Sequence, residues 1–103
     1  YKYCDEAFLN RINDALLKEY PKLTIFGEAW TNTVTGSAYF TRNNLDIPFK
    51  HNAEGVTDFP LNSAIMAALN QPFGWTEGVN KLYMTLAQDI LYKEPKNNCI
   101  FLD

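Results

Sequence analysis

A repeating apolar stripe opens the chain. Apolar side chains recur at four-residue steps from Phe8 to Tyr20, and polar residues fill the opposite face. Asp5, a residue type that commonly caps a helix N-terminus, precedes the stripe, and Pro21 follows it. The spacing therefore predicts an amphipathic helix over residues 5–20.

Three short apolar runs predict β-strands, at residues 23–26, 55–59 and 98–103. The first run is apolar without alternation, which suits a strand covered on both faces, as in a parallel sheet. Further apolar positions at three- and four-residue steps predict helices over residues 62–70 and 76–92.

The segment between the first two strands has only weak periodicity. Thr, Asn, Gly and Ser crowd residues 31–37, and this composition predicts a loop. A connection as long as residues 31–54 usually carries function or contains a helix that the pattern does not display. Both interpretations stay open on the sequence.

The order of these elements is helix, strand, irregular segment, strand, helix, helix, strand. Strands that alternate with helices predict a parallel sheet with right-handed crossovers, so the expected class is α/β. The chain opens on a helix and stops on a strand of the buried type. We therefore expect residues 1–103 to be one piece of a longer α/β protein, with no internal domain boundary.

Composition narrows the classes of partner. The 103 residues include 9 basic and 12 acidic side chains, for a net charge of −3, and no basic cluster occurs. We therefore expect no nucleic-acid partner held by phosphate contacts. The apolar runs are much shorter than the roughly 20 residues of a membrane span, so no membrane association is expected.

The cysteines and the histidine give no sign of a cofactor. Cys4 and Cys99 lie near opposite ends, and their spacing favours two free thiols over a disulfide. With a single histidine, His51, there is no zinc-type ligand cluster, and we predict neither a metal nor another cofactor. We expect His51 to be solvated or hydrogen-bonded rather than a ligand.

Acidic residues lie at the carboxyl end of each predicted strand: Glu28, Asp58 and Asp103. Active groups in parallel α/β folds cluster at the carboxyl ends of strands, and carboxylates there suit the cleavage of a glycosidic bond. Trp30 offers a flat apolar face that a sugar ring could stack on. Strand-end acids are also common as helix caps or surface charges, and we expect Asp58 to be structural.

Four segments resemble the α-amylase family of glycoside hydrolases. Thr24–Trp30 (TIFGEAW) resembles the segment that carries the family's general acid/base glutamate, and Val56–Leu61 (VTDFPL) resembles an element of its next strand. Ile100–Asp103 resembles the start of a later strand. Tyr1–Phe8 resembles the stretch after the nucleophilic aspartate, most closely in the neopullulanase and cyclomaltodextrinase branch. The segments occur in the family's order.

This resemblance implies a fold and an activity. The fold would be a partial (β/α)8 TIM barrel with about three parallel strands and flanking helices. The activity would be retaining hydrolysis of α-glucosidic bonds in starch, maltodextrin or pullulan, with Glu28 as general acid/base. The family's nucleophile would precede Tyr1 and its third catalytic aspartate would follow Asp103, so the segment alone is expected to be inactive.

The resemblance also implies substrate contacts. The partner would be an α-glucan oligosaccharide or polysaccharide, with Trp30 stacking on glucose or packing at the barrel mouth. Lys2 and Tyr3 match positions on the leaving-group side, with plain surface residues as the alternative. Tyr3 stands where many amylases place a calcium-site histidine, which again predicts no metal. A periplasmic or secreted location is favoured over the cytoplasm.

Two other interpretations remain. One is a non-catalytic glycan-binding relative that keeps the barrel, and the other is a small autonomous α/β domain with an accidental match. A piece of a barrel would expose strand edges and apolar helix faces, so we expect the isolated segment to self-associate.

Overall fold

Residues 1–102, which the computed structural model describes, form four α-helices, two short β-strands and two 3₁₀ turns. The helices and strands are, in chain order, α1 (Glu6–Glu19), β1 (Phe26–Gly27), α2 (Val34–Tyr39), β2 (Gly55–Val56), α3 (Phe59–Asn70) and α4 (Val79–Leu86). The 3₁₀ turns are Asp89–Leu91 and Pro95–Asn97.

Helix α1 confirms the first predicted element. Asp5 caps it by accepting a 2.8 Å hydrogen bond from the Phe8 backbone N–H. The helix does not pack through its apolar stripe, as an amphipathic helix was expected to do. The stripe is largely exposed to solvent, with relative exposures of 49% for Phe8 and 59% for Tyr20. The buried residue of α1 is the polar Asn13, so amide contacts rather than apolar burial attach the helix.

The sheet corrects the predicted fold class. Strands β1 and β2 are parallel, with Phe26 opposite Gly55 and Gly27 opposite Val56, and each has only two residues. The third predicted strand, residues 98–103, contributes within the described residues one parallel bridge, from Cys99 to Thr57. Asp103 lies outside the described residues.

The prediction of a partial (β/α)8 TIM barrel with about three parallel strands is therefore wrong. A barrel strand needs a hydrogen-bonded neighbour on each side, and within residues 1–102 β1 has a sheet neighbour on the β2 side alone. The expected cover on both faces of residues 23–26 is also wrong, because Leu23 is 40% and Phe26 is 49% exposed. The fold is a small mixed α/β arrangement.

The prediction of a loop over residues 31–37 is wrong, because helix α2 begins at Val34. Thr33 caps it, since its side-chain oxygen accepts a 3.1 Å hydrogen bond from the Gly36 N–H, and its buried residues are Val34, Ser37 and Ala38. Six residues are too few to display a helical period. Of the two interpretations left open for this segment, the hidden helix is confirmed.

The last two helices are shifted or shorter than predicted. Helix α3 begins three residues early, because Asp58 caps it and Pro60 occupies its first turn, where the missing N–H of proline costs nothing. Helix α4 begins after Gly78, whose φ of 61° is easy only for glycine, and ends at Leu86. Of the remaining residues of the predicted helix over 76–92, Asp89–Leu91 form a 3₁₀ turn.

A small apolar core joins α2 to the sheet. Its buried members are Ala29, Val34, Ala38, Val56 and Tyr92. Ala29 is fully buried and follows Glu28 directly, so the core fixes the backbone beside the candidate acid.

Candidate functional site

Glu28 lies at the carboxyl end of β1. It follows Gly27, the last residue of the strand, and both Gly27 and Ala29 are buried while Glu28 is exposed. Gly27 and Ala29 therefore anchor the backbone, and the Glu28 side chain is accessible to solvent. In parallel α/β sheets, the groups that bind ligands usually lie at the carboxyl ends of the strands.

An open cavity of about 430 Å³ surrounds this carboxylate. Its lining residues are Tyr1, Lys2, Tyr3, Glu28 and Trp30. The structure thus brings together the four residues selected from the sequence, although they come from two segments. The volume is typical of a small-molecule site. Tyr1 is the lining residue that the sequence prediction did not include; its place beside Lys2 and Tyr3 was the available signal.

Two hydrogen bonds connect the members of this cavity. The Trp30 indole Nε1–H donates to Oε2 of Glu28 at 3.0 Å. The Lys2 Nζ donates to the backbone carbonyl of Trp30 at 3.3 Å and lies 5.3 Å from the centre of the Tyr3 ring, within the range of a cation–π contact. The bond from Trp30 therefore restricts the orientation of the Glu28 carboxyl group.

The backbone of Trp30 is strained. Its φ is 53°, and within residues 1–102 it is the one non-glycine residue with a positive φ. Such conformations cost about 1–3 kcal/mol and persist where surrounding contacts impose them. Here the Trp30 ring packs on Phe59 at 5.5 Å between ring centres, and Phe59 in turn meets Phe101 at 5.1 Å. Trp30 nevertheless remains 66% exposed.

Glu28 is the one carboxylate among the described residues that line the cavity. A carboxyl group with an exposed oxygen can donate a proton to a leaving oxygen or accept one from water. Retaining glycoside hydrolysis also needs a second carboxyl group about 5–5.5 Å away as the nucleophile. The cavity in residues 1–102 therefore provides a proton-transfer group and aromatic faces, but no second carboxylate.

A second cluster surrounds His51, and the sequence prediction missed it. The side chain is buried rather than solvated, with a relative exposure of 2%, and neither ring nitrogen has a hydrogen-bond partner in residues 1–102. Four aromatic rings lie at centre-to-centre distances of 5.2 to 6.1 Å: Tyr1, Tyr39, Phe40 and Phe49. The aromatic residues near His51 in the sequence were the available signal.

One carboxylate faces this histidine. Oε1 of Glu6 lies 3.4 Å from His51 Nε2 and accepts a 2.8 Å hydrogen bond from the Tyr39 hydroxyl. Burial lowers the pKa of His51 below 6.5, and the nearby Glu6 opposes that shift without reversing it. The hydrogen bond to Glu6 raises the pKa of Tyr39. His51 is therefore a neutral, buried side chain that joins α1 to the segment after α2.

Asp58 was expected to be structural, and the structure shows that it caps helix α3. Its Oδ1 accepts a 3.0 Å hydrogen bond from the Leu61 N–H at the start of α3. Burial raises the pKa of Asp58, with the hydrogen bond from Leu61 opposing the shift. Burial also raises the pKa of the Tyr92 hydroxyl, and the charge of Asp58 adds to that effect. Asp58 does not line the cavity around Glu28.

Cys4 is exposed, Cys99 is partly buried, and both are free thiols. Within the described residues, no group of three His, Cys, Asp or Glu side chains is arranged to hold a metal ion. None of the helices in residues 1–102 combines the length and the apolar composition needed to cross a membrane.

No model of a known protein family matches this chain. The geometry of the Glu28 cavity is therefore the main guide to its function.

Proposed function

We propose that this chain carries the general acid/base of a retaining glycoside hydrolase that acts on α-glucosidic bonds in starch, maltodextrin or pullulan. The observation that carries the proposal is the common cavity of Glu28, Trp30, Lys2 and Tyr3, the four residues that the sequence indicates. The motif resemblance around Glu28 supplies the substrate class.

Glu28 acts twice in this proposal. As an acid, it gives its proton to the glycosidic oxygen while the bond to the anomeric carbon breaks. As a base, it then takes a proton from the water that attacks the glycosyl-enzyme ester. The nucleophile that forms this ester must be a carboxylate from outside the described lining of the cavity. We therefore propose that the 103-residue chain is inactive alone.

The other three residues bind the substrate. Trp30 and Tyr3 are 66% and 90% exposed, so both rings are accessible to the apolar face of a glucose unit. The Lys2 ammonium group donates one hydrogen bond to the Trp30 carbonyl, and its other N–H groups can donate to a substrate in the cavity. A periplasmic or secreted location is part of the proposal and rests on the resemblance alone.

A non-catalytic glycan-binding protein is the second candidate. It is favoured by the same observation that limits the first, namely a cavity with exposed aromatic rings and one carboxylate. In that case the cavity would hold an α-glucan without cleaving it, and Glu28 would contribute hydrogen bonds only.

Replacement of Glu28 tests both candidates. In the full-length gene product that carries these residues, Glu28→Gln should lower the rate of maltooligosaccharide hydrolysis by about 10²- to 10⁴-fold, because the group that transfers protons is lost. The matched control is Glu19→Gln, at an exposed glutamate outside the cavity. Hydrolysis by Glu28→Gln at the wild-type rate would overturn the enzyme proposal, and binding of maltooligosaccharide without hydrolysis by the wild type would favour the second candidate.

A further inference from the structure

We infer that Trp30 is a positioning residue for Glu28 and that its indole N–H determines which oxygen of the carboxyl group transfers the proton. The inference rests on the proposed function. The Nε1–H donates to Oε2 at 3.0 Å, whereas Oε1 has no hydrogen-bond partner in residues 1–102. Because the fixed donor occupies Oε2, Oε1 is the oxygen that carries and transfers the proton.

The backbone of Trp30 supports a dedicated role. A bulky residue rarely adopts a φ of 53°, and strain of this kind clusters at functional sites. Two contacts hold the conformation from opposite ends of the residue. Lys2 bonds the Trp30 carbonyl at 3.3 Å, and Phe59 packs on the ring at 5.5 Å. The indole is therefore presented to Glu28 in one orientation.

The hydrogen bond matters most when Glu28 is charged. In the first step the proton leaves Oε1 for the glycosidic oxygen, the bond from that oxygen to the anomeric carbon breaks, and Glu28 becomes a carboxylate. The indole N–H then donates to a charged oxygen, and such bonds are the stronger ones. In the second step Oε1 takes a proton from water while the water oxygen bonds to the anomeric carbon and the ester bond to the nucleophile breaks.

Two substrates separate positioning from simple substrate stacking. A maltooligosaccharide leaves as an alcohol and needs the proton from Glu28, whereas α-maltosyl fluoride loses fluoride without protonation. In the full-length gene product, Trp30→Phe keeps an aromatic face but removes the N–H donor. We expect kcat/KM for the maltooligosaccharide to fall about 10- to 100-fold, the size of effect that a small misplacement of a reacting group produces. The kcat/KM for the fluoride, which reports only steps up to the first bond cleavage, should stay within about twofold.

Control variants make the outcomes distinct. Tyr3→Phe removes a hydroxyl from the same cavity without touching Glu28, and it should leave the ratio of the two kcat/KM values unchanged. Glu28→Gln should likewise lower kcat/KM for the maltooligosaccharide and spare kcat/KM for the fluoride, with a larger difference between the two substrates than in Trp30→Phe. An equal fall for both substrates in Trp30→Phe, or no fall for either, would overturn the positioning role while the proposed function stands. A wild type that cleaves neither substrate would overturn both.

A spectroscopic measurement covers the case in which Trp30→Phe fails to fold. With ¹⁵N-labelled protein, the indole N–H resonance of Trp30 should move upfield in Glu28→Gln, because a neutral amide replaces a charged acceptor. The indole resonance of Trp75, which does not line the cavity, is the internal reference. An unmoved Trp30 resonance would contradict the inference.

Discussion

The aromatic ring of Tyr1 lies directly against the Cα of Gly27. A Cβ atom at position 27 would come within 2.5 Å of Tyr1 Cδ2, well inside van der Waals contact. The Tyr1 hydroxyl accepts a 3.0 Å hydrogen bond from the Asn13 side chain on α1, which keeps the ring in place. Tyr1, which lines the cavity, therefore connects α1 to Gly27, the last residue of β1 and the residue immediately before Glu28.

This contact predicts the effect of Gly27→Ala. The added methyl group would force the Tyr1 ring or β1 to move, and overpacking of this kind typically costs about 1–3 kcal/mol. The free energy of unfolding from urea denaturation should fall by that amount. The matched control is Gly74→Ala, where the atoms nearest to the new Cβ belong to the flexible, exposed side chain of Glu77. In a Tyr1→Ala background Gly27→Ala should cost less, and strictly additive effects would contradict the proposed contact.

The buried His51 predicts a dependence of stability on pH. Burial lowers its pKa in the folded protein, so between that value and the unfolded value of 6.5 the unfolded chain binds more protons. The stability from neutral His51 is complete above pH 6.5 and is lost as the pH falls through the folded pKa. The slope for one proton cannot exceed about 1.4 kcal/mol per pH unit.

His51→Phe should flatten this part of the profile. The phenyl ring keeps the apolar contacts with Tyr39 and Phe49 but cannot take up a proton. Other groups in the cluster, Glu6, Tyr1 and Tyr39, are common to both proteins, so the difference between the two urea-denaturation profiles isolates the histidine. If the two stability profiles stay parallel from pH 7.5 to 5, His51 takes up no proton when the chain unfolds, which would contradict the prediction.

The cap at Asp58 predicts opposite effects for two substitutions. Asp58→Ala removes the acceptor for the Leu61 N–H and should destabilise the protein by about 1 kcal/mol. Asp58→Asn keeps an acceptor and removes a buried charge. Since burial raises the pKa of Asp58, its ionised form costs stability at pH 7, and this cost disappears as the pH falls below the unfolded value of 3.8. Asp58→Asn should therefore be at least as stable as wild type at pH 7, with a difference that shrinks towards pH 4. A loss equal to that of Asp58→Ala would contradict this.

Exposed apolar side chains predict self-association of the isolated chain. Leu69, Phe73 and Trp75 are 75%, 81% and 94% exposed near the junction of α3 and α4. Sedimentation at micromolar concentration should show oligomers, because exposed apolar surface of this kind favours association. Phe73→Ser with Trp75→Ser should reduce the oligomers more than the control Tyr20→Ser, at the C-cap of α1. A compact monomer over the same concentration range would contradict the expectation.

Helix α1 shows what local sequence information can predict. Its cap, its 14-residue length and its end are encoded within residues 5–21, so the prediction succeeded. Which face would be buried depended on the segment at residues 50–52, whose backbone and Asn52 side chain bind Asn10 and Asn13. No periodicity in α1 reveals that partner, and the amide face docks while the apolar stripe stays exposed.

The residues of the candidate site come from two segments of the chain. Glu28 and Trp30 are two residues apart, so their proximity follows from the chain itself, and the strand-end position of Glu28 was readable from the apolar run before it. The meeting of this segment with Lys2 and Tyr3 was suggested by resemblance, not by any local pattern. The left-handed backbone of Trp30 was not predictable, because its residue type opposes that conformation.

By itself, the amino-acid sequence determined where helix α1 begins and ends and which residues are available for chemistry. These features depend on interactions between residues a few positions apart. Tertiary structure alone decided that the sheet has two strands, that residues 98–102 add only a single bridge, and that His51 is enclosed by aromatic rings. Strand pairing and burial are contacts between distant segments, and their free energy depends on the whole arrangement rather than on any local run of residues.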